Sequence, residues 1–186
     1  MGKFNGATGN LNAHLCAYPD LDWLKISRNF VEGMGIGWNP YTTQIEPHDV
    51  VAEISLAFTL TNSILIDFSR DMWMYISLAY FKQKNVAGEI GSSTMPHKIN
   101  PIAFENAEGN LGLSISLFTH FATKLPISRF QRDLSDSTVM RNLGQAFSFS
   151  LQSYKSLDSA LNRITVNQEV LDKELHSHYE LLAEPV

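Results

Sequence analysis

Cysteine is almost missing from this chain. Cys16 stands alone among 186 residues, so no disulfide can form within the chain and no cysteine-rich metal site exists, which suits a reducing compartment. Runs of lysine or arginine are missing too. The 14 basic and 19 acidic residues leave a mild net charge of −5, spread along the sequence, without the basic footprint of a protein that grips a nucleic acid polymer. The opening Met1-Gly2-Lys3-Phe4-Asn5-Gly6 has no apolar core of a signal peptide, and Gly6 stands where a myristoylation motif needs Ser or Thr. Cytoplasm is therefore the expected location. No internal repeat or low-complexity tract is present, and no stretch of strict alternation marks a strand. The expected class is all-α, an elongated bundle of long helices.

Glycine and proline are both absent from His48 to Lys84. With Pro47 suited to a first helical turn, that stretch predicts one helix of about 50 Å at ~1.5 Å per residue. Its apolar residues cover nearly the whole circumference, yet Glu53, Asp67, Arg70 and Asp71 interrupt it, so no uninterrupted apolar run reaches the roughly 18 to 20 residues of a membrane span. No membrane partner is expected. Such a helix needs burial on most sides, and one chain of this size has too little surface to supply it, so copies should associate. A second helix is expected from Pro101 to about Lys124, with Asn100 as N-cap and Pro126 as the stop. Gly109 and Gly112 weaken it by about 1 kcal/mol each unless close packing against another helix requires them. A third should run from Ser135 or Asp136 to about Ile164, and shorter ones over Leu21 to Glu32 and over Gln168 to His178, the last capped by Asn167. The expected division is a helical domain over residues 1–175, carrying a polar loop at 83–100, and the start of a further domain at 176–186.

That loop is the most specific part of the sequence. Gly91-Ser92-Ser93-Thr94-Met95-Pro96-His97-Lys98-Ile99-Asn100, followed by Pro101, puts a glycine hinge, paired hydroxyls, a lysine and an asparagine in one short segment. Those are the groups needed to hold carboxylates and move a proton. Lys98 supplies a cation, Asn100 amide donors, and loop N–H groups near Ser92 can stabilise an oxyanion. The serine-nucleophile pattern G-x-S-x-G lacks its closing glycine here. A second group follows downstream: Arg132 and Arg141 can form bidentate bonds to phosphate or carboxylate oxygens, with Ser137 and Thr138 near a helix start that attracts anions. Those residues could instead cap the helix and pair with Asp133 and Asp136. The histidines His14, His48, His97, His120, His176 and His178 form no metal-ligand pairing on a clear helix face and default to solvated or core positions.

The loop resembles the signature G-S-S-x-M-P-x-K-x-N of the fumarase/aspartase superfamily of lyases, with every fixed position present. Within it, Trp38 to Asp49, the Pro-His-Lys form of the loop, and Arg129 to Asn142 resemble the adenylosuccinate lyase family, a likeness extending from about Lys3 to Pro185. The resemblance implies β-elimination of fumarate from adenylosuccinate, giving AMP, and from the succinylated aminoimidazole carboxamide ribotide of purine biosynthesis. It implies Ser92 as general base, and Ser93, Lys98, Asn100, Gln44 and Asn106 as contacts to the succinylated purine nucleotide. Arg132, Ser137, Thr138 and Arg141 would serve its phosphate, and Glu105 would be the carboxylate that orients a catalytic histidine. It implies neither a metal nor an organic cofactor, and a homotetramer whose sites combine segments of three subunits. That family carries the histidine in an upstream Thr-x-x-Gln-Pro-type segment, which this sequence lacks. The chain is thus expected to be the central part of a longer enzyme, inactive alone; the alternative is a non-catalytic helical assembly module derived from a lyase core.

Overall fold

The computed structural model describes residues 1–84 and 100–183. In chain order the elements are α1 (Asn12–Ala17), α2 (Trp23–Gly33), α3 (Asp49–Ser77), β1 (Phe81–Gln83), α4 (Ile102–Lys124), α5 (Ser135–Met140), α6 (Leu143–Leu161), β2 (Ile164–Val166) and α7 (Gln168–Ser177), ending in a 3₁₀ turn at Tyr179–Leu182. Helix dominates, as the sequence leads one to expect. The chain divides into two compact units, one of Met1–Thr59 with Ser116–Gly144 and the other of Leu60–Ile115 with Gln145–Val186.

Three expectations need correction, each for a local reason. The long helix stops at Ser77 rather than near Lys84. Ala79 takes a left-handed backbone (φ 61°), its N–H bonds to Ile76 O (3.0 Å), and Tyr80 N–H reaches back to Tyr75 O (2.9 Å). That pair of bonds is a Schellman termination, built here without glycine. The freed chain becomes β1, which pairs antiparallel with β2, Phe81 opposite Val166 and Gln83 opposite Ile164. Strands of three residues are too short to display alternation in sequence. The expected third helix is broken into α5 and α6. At the break the Asn142 side chain bonds the carbonyls of Thr138 (3.3 Å) and Val139 (3.4 Å), competing with the helix's own ladder. Asn167 precedes α7 but makes no side-chain cap bond. Its amide instead donates to Ala79 O (2.8 Å), and its N–H to Tyr80 O (2.8 Å), securing the turn that ends α3.

In the second unit the core joins Met72 and Ile76 of α3, Phe104, Ala107 and Leu111 of α4, and Leu157 and Ala160 of α6. Buried positions recur along α6 at Ala146, Ser150, Ser153, Leu157 and Ala160, alternating four- and three-residue steps. That is the spacing of a left-handed helical seam. A polar layer crosses it: Asn62 donates to Ser114 Oγ (3.1 Å) and Ser150 Oγ (2.9 Å), and Tyr154 O–H donates to Asn62 Oδ1 (2.6 Å). In the first unit Phe58 stacks on Phe118 (centroids 5.0 Å), with Phe121 edge-on to Phe118 (6.1 Å).

The orientation of α3 is unexpected for so apolar a helix. Ser55, Asn62 and Ser69 are at most 1% exposed, whereas Ile54, Leu56, Leu60 and Ile64 are 45% to 65% exposed. Among the described residues, and leaving aside the backbone of their own helix, a Cβ at Gly109 or Gly112 would meet nothing within 4 Å.

Candidate functional site

In the first unit, the loop entering α3 and the segment before α5 lie side by side. Gln44 N–H donates to Gln131 O (3.1 Å), which seats Gln44 beside the residue preceding Arg132. Gln44 itself is exposed. From the other side the N-terminal segment grips the same loop. Lys3 Nζ donates to the carbonyls of Gly6 (3.0 Å), Thr43 (2.8 Å) and Gln44 (2.7 Å). Asn5, 2% exposed, donates to Pro40 O (3.2 Å) and Thr42 Oγ1 (2.9 Å). Gly9, at φ 80°, sits so close to the loop that a Cβ there would collide with Thr42 O. Only glycine tolerates both that backbone and that approach.

His48 and Asp136 join the two segments. His48 occupies a left-handed backbone (φ 62°) directly before α3, and its Nε2 lies 3.2 Å from Asp136 Oδ2. Asp136 Oδ1 accepts the Ser137 N–H (2.7 Å) and lies 3.5 Å from Arg132 Nη2. Burial works against its ionisation, but the hydrogen bonds from His48 and Ser137 N–H, with Arg132 nearby, outweigh it and hold this carboxyl below its ordinary value. Asp133 is held well below the usual carboxylate range by the Ser135 N–H and the Arg129 guanidinium. Glu46 goes the other way: burial and a hydrogen bond with Asp49 push its carboxyl up. A cavity of about 500 Å³ opens between these segments, lined among others by Thr43, Glu46, His48, Ser128, Asp133 and Asp136. Phe130, also on its wall, has a left-handed backbone as well (φ 49°). Strained backbone on both segments fits a site whose geometry the surroundings impose.

Of the residues expected from sequence, Gln44, Arg132, Ser137, Thr138 and Arg141 all fall in this unit. Ser137 and Thr138 are exposed on α5, and Ser137 Oγ donates to Leu134 O (2.9 Å). The N–H groups at that helix start are used by the chain's own carboxylates, Ser135 N–H by Asp133 (2.9 Å) and Ser137 N–H by Asp136. Arg141 is exposed immediately after α5. In the second unit Glu105 and Asn106 are exposed on the first turns of α4, and Glu105 Oε1 accepts from Trp73 Nε1 (3.0 Å). Asn100 lies just before Pro101, whose carbonyl accepts the Phe104 N–H (3.0 Å), so the helix is capped one residue later than expected. Ser92, Ser93, Lys98 and His97 lie outside the described residues. Sequence reasoning overlooked Lys3, Asn5, His48 and Asp136 as site residues. His48 and Asp136 are separated by 88 positions and no periodicity links them; for Lys3, a cation inside a Gly/Asn-rich turn was the available signal.

Residues 1–113 match the lyase family. The chain belongs to it. Residues 128–186 match a second family, the adenylosuccinate lyase C-terminal region. Gln44, the signature loop, Glu105 and Asn106 thus stand in the lyase-family match, and Arg132, Ser137, Thr138 and Arg141 in the other. Over its whole length the chain is 59% identical to adenylosuccinate lyase of Buchnera aphidicola from Acyrthosiphon pisum, covering 41% of that protein. It is 59% identical to the enzyme of that name from Legionella pneumophila over 99% of the chain and 40% of the relative, and 58% identical to that of Escherichia coli over 100% and 41%. The chain spans about two fifths of the length of these curated relatives.

Proposed function

We propose that the protein is an adenylosuccinate lyase, releasing fumarate from adenylosuccinate to leave AMP and from the succinylated aminoimidazole carboxamide ribotide. The observation that carries this reading is the intact Gly91 to Asn100 signature in a chain nearly three fifths identical, end to end, to relatives bearing that name. In it, Ser92 takes the proton beside the substrate carboxylate, Lys98 and Asn100 hold the charge that develops, and Ser93 binds. Serine is a weak base in water, so donors around its oxygen and exclusion of solvent must favour its deprotonated form. Arg132, Ser137, Thr138 and Arg141 take the phosphate, Gln44 and Asn106 the remainder of the substrate, and Glu105 orients a histidine contributed from outside this chain. The adjacency of Gln44 and the Arg132 segment supports a shared substrate surface. The outward apolar face of α3 supports a homo-oligomer, read here as a tetramer with sites built from three subunits. The same reading gives a central helical domain over 1–175, a further domain starting at 176, and a cytoplasmic enzyme.

The test is made in the full-length protein carrying this chain. Ser92→Ala should abolish turnover of adenylosuccinate while binding changes little, because the lost interaction belongs to the transition state. Ser93→Ala should cost about 1 to 2 kcal/mol, as for one binding hydroxyl. Normal turnover by Ser92→Ala would refute the base assignment; no fumarate release by the unaltered protein would refute the activity.

A further inference from the structure

Gln44 is exposed, so burial does little to aim its side chain. Its backbone is fixed from both sides instead. The peptide joining Thr43 to Gln44 is held at its carbonyl by Lys3 Nζ (2.8 Å) and at its N–H by Gln131 O (3.1 Å). The next peptide is held at the Gln44 carbonyl by the same ammonium (2.7 Å). With both flanking peptide planes fixed, φ and ψ of Gln44 are fixed, and so is the direction of its Cα–Cβ bond. A third bond, to Gly6 O (3.0 Å), ties the ammonium to its own N-terminal segment.

An ammonium has three donors, and here all three go to backbone carbonyls. Lys3 forms no ion pair among the described residues, and burial lowers its pKa from the ordinary lysine value. A partly desolvated cation without a carboxylate still loses some hydration, and three carbonyls in place compensate for it. Asn5, which bonds Pro40 O and Thr42 Oγ1, extends the same grip along the loop, and the missing side chain of Gly9 lets Thr42 come close. Because Gln131 O receives the Gln44 N–H, the grip continues to the neighbour of Arg132.

We propose that Lys3 is a positioning residue: through the carbonyls of Thr43 and Gln44 it sets the direction in which Gln44 meets the succinylated nucleotide. This rests on the lyase reading above for the identity of the ligand, but not for the effect on Gln44 itself.

The test is a double-mutant cycle in the full-length protein, combined with amide hydrogen exchange. Lys3→Met should lower kcat/KM about tenfold or more, as misplacement of a substrate contact does. In a Gln44→Ala background the same change should cost less than about twofold, since the residue it positions is already gone. Lys3→Arg, which keeps charge and donors, should recover part of the loss. Exchange at the Gln44 amide should quicken in Lys3→Met while exchange at core amides of α4 stays unchanged. Equal losses in both backgrounds would mean that Lys3 acts by charge or by general stability, and the proposal falls. Should the full-length protein release no fumarate, the lyase reading falls and the exchange measurement alone decides: an unchanged Gln44 amide in Lys3→Met overturns the positioning role. If Lys3→Met does not fold, the comparison is made with Lys3→Arg and Lys3→Gln.

Discussion

Asp136 is a buried carboxylate that stays charged because its surroundings outweigh its desolvation. His48, the Ser137 N–H and Arg132 all favour the ionised form, so its folded pKa lies below the unfolded one. A depressed carboxylate stabilises the fold above its unfolded value, about 3.9 for Asp, and loses that contribution as pH falls towards the folded value. Asp136→Asn should therefore lower the unfolding free energy at pH 7 by about 1 to 3 kcal/mol, leaving polar partners unpaired. In denaturant titrations the gap to the unaltered chain should narrow as pH drops below the ordinary carboxylate range. Glu46 carries the opposite sign. Its pKa is raised by burial, so the fold loses stability as pH climbs from the ordinary glutamate value through the raised one. Glu46→Gln should remove that decline; a decline that persists would place its source elsewhere. At this scale the sequence draws attention to side chains that chemistry makes conspicuous, such as Arg132 and Arg141. It offers Asp136 as a partner for an arginine, as Arg132 at 3.5 Å is, but not the contact of Asp136 with His48, 88 positions away.

Among the elements, the helices were legible wherever apolar spacing and absent glycine ran together, as were the end of α4 at Lys124 and the start of α7 at Gln168, but the end of α3 and the break between α5 and α6 were not. The end of α3 has no glycine to announce it, because Ala79 accepts the left-handed conformation that glycine normally takes. The hydrogen bonds from Ala79 and Tyr80 back to Ile76 and Tyr75, with Asn167 holding the turn, offset the strain. Ala79→Gly should relieve a backbone cost of about 1 to 2 kcal/mol, and after glycine's own entropic penalty of roughly 0.5 to 1 kcal/mol the chain should gain a little under 1 kcal/mol. A thermal melt that fell instead would mean that the Ala79 methyl matters more than the backbone. The polar layer of α3, α4 and α6 predicts the reverse. Tyr154→Phe removes the donor to Asn62, a residue with no exposure, and should cost about 1 to 3 kcal/mol by stranding a buried acceptor. Apolar periodicity does not mark the inward faces of α3 and α6, where Ser55, Asn62, Ser69, Ser150 and Ser153 are buried, and the matching of Asn62 with Ser114, Ser150 and Tyr154 depends on three helices meeting at one level, which one-dimensional spacing does not carry.

For the whole molecule, α3 buries Ser55, Asn62 and Ser69 while Ile54, Leu56, Leu60 and Ile64 are exposed. A face of that kind left in water favours association, so the chain should sediment as an oligomer that dissociates over an about hundredfold dilution, with a melting temperature that falls alongside. A monomer at every concentration would count against it. Gly109 sharpens the point, because among the described residues nothing outside its own helix backbone lies within 4 Å of where a Cβ would sit. Gly109→Ala should raise the melting temperature of the dilute chain by the gain of about 1 kcal/mol that alanine brings to a helix interior. Where a neighbouring copy comes close at that spot, the same methyl should weaken association. A laboratory selection for heat resistance in the dilute chain would then favour an alanine that the working assembly must reject, and a comparison of Tm with sedimentation on this one variant would distinguish what the fold wants from what the oligomer wants.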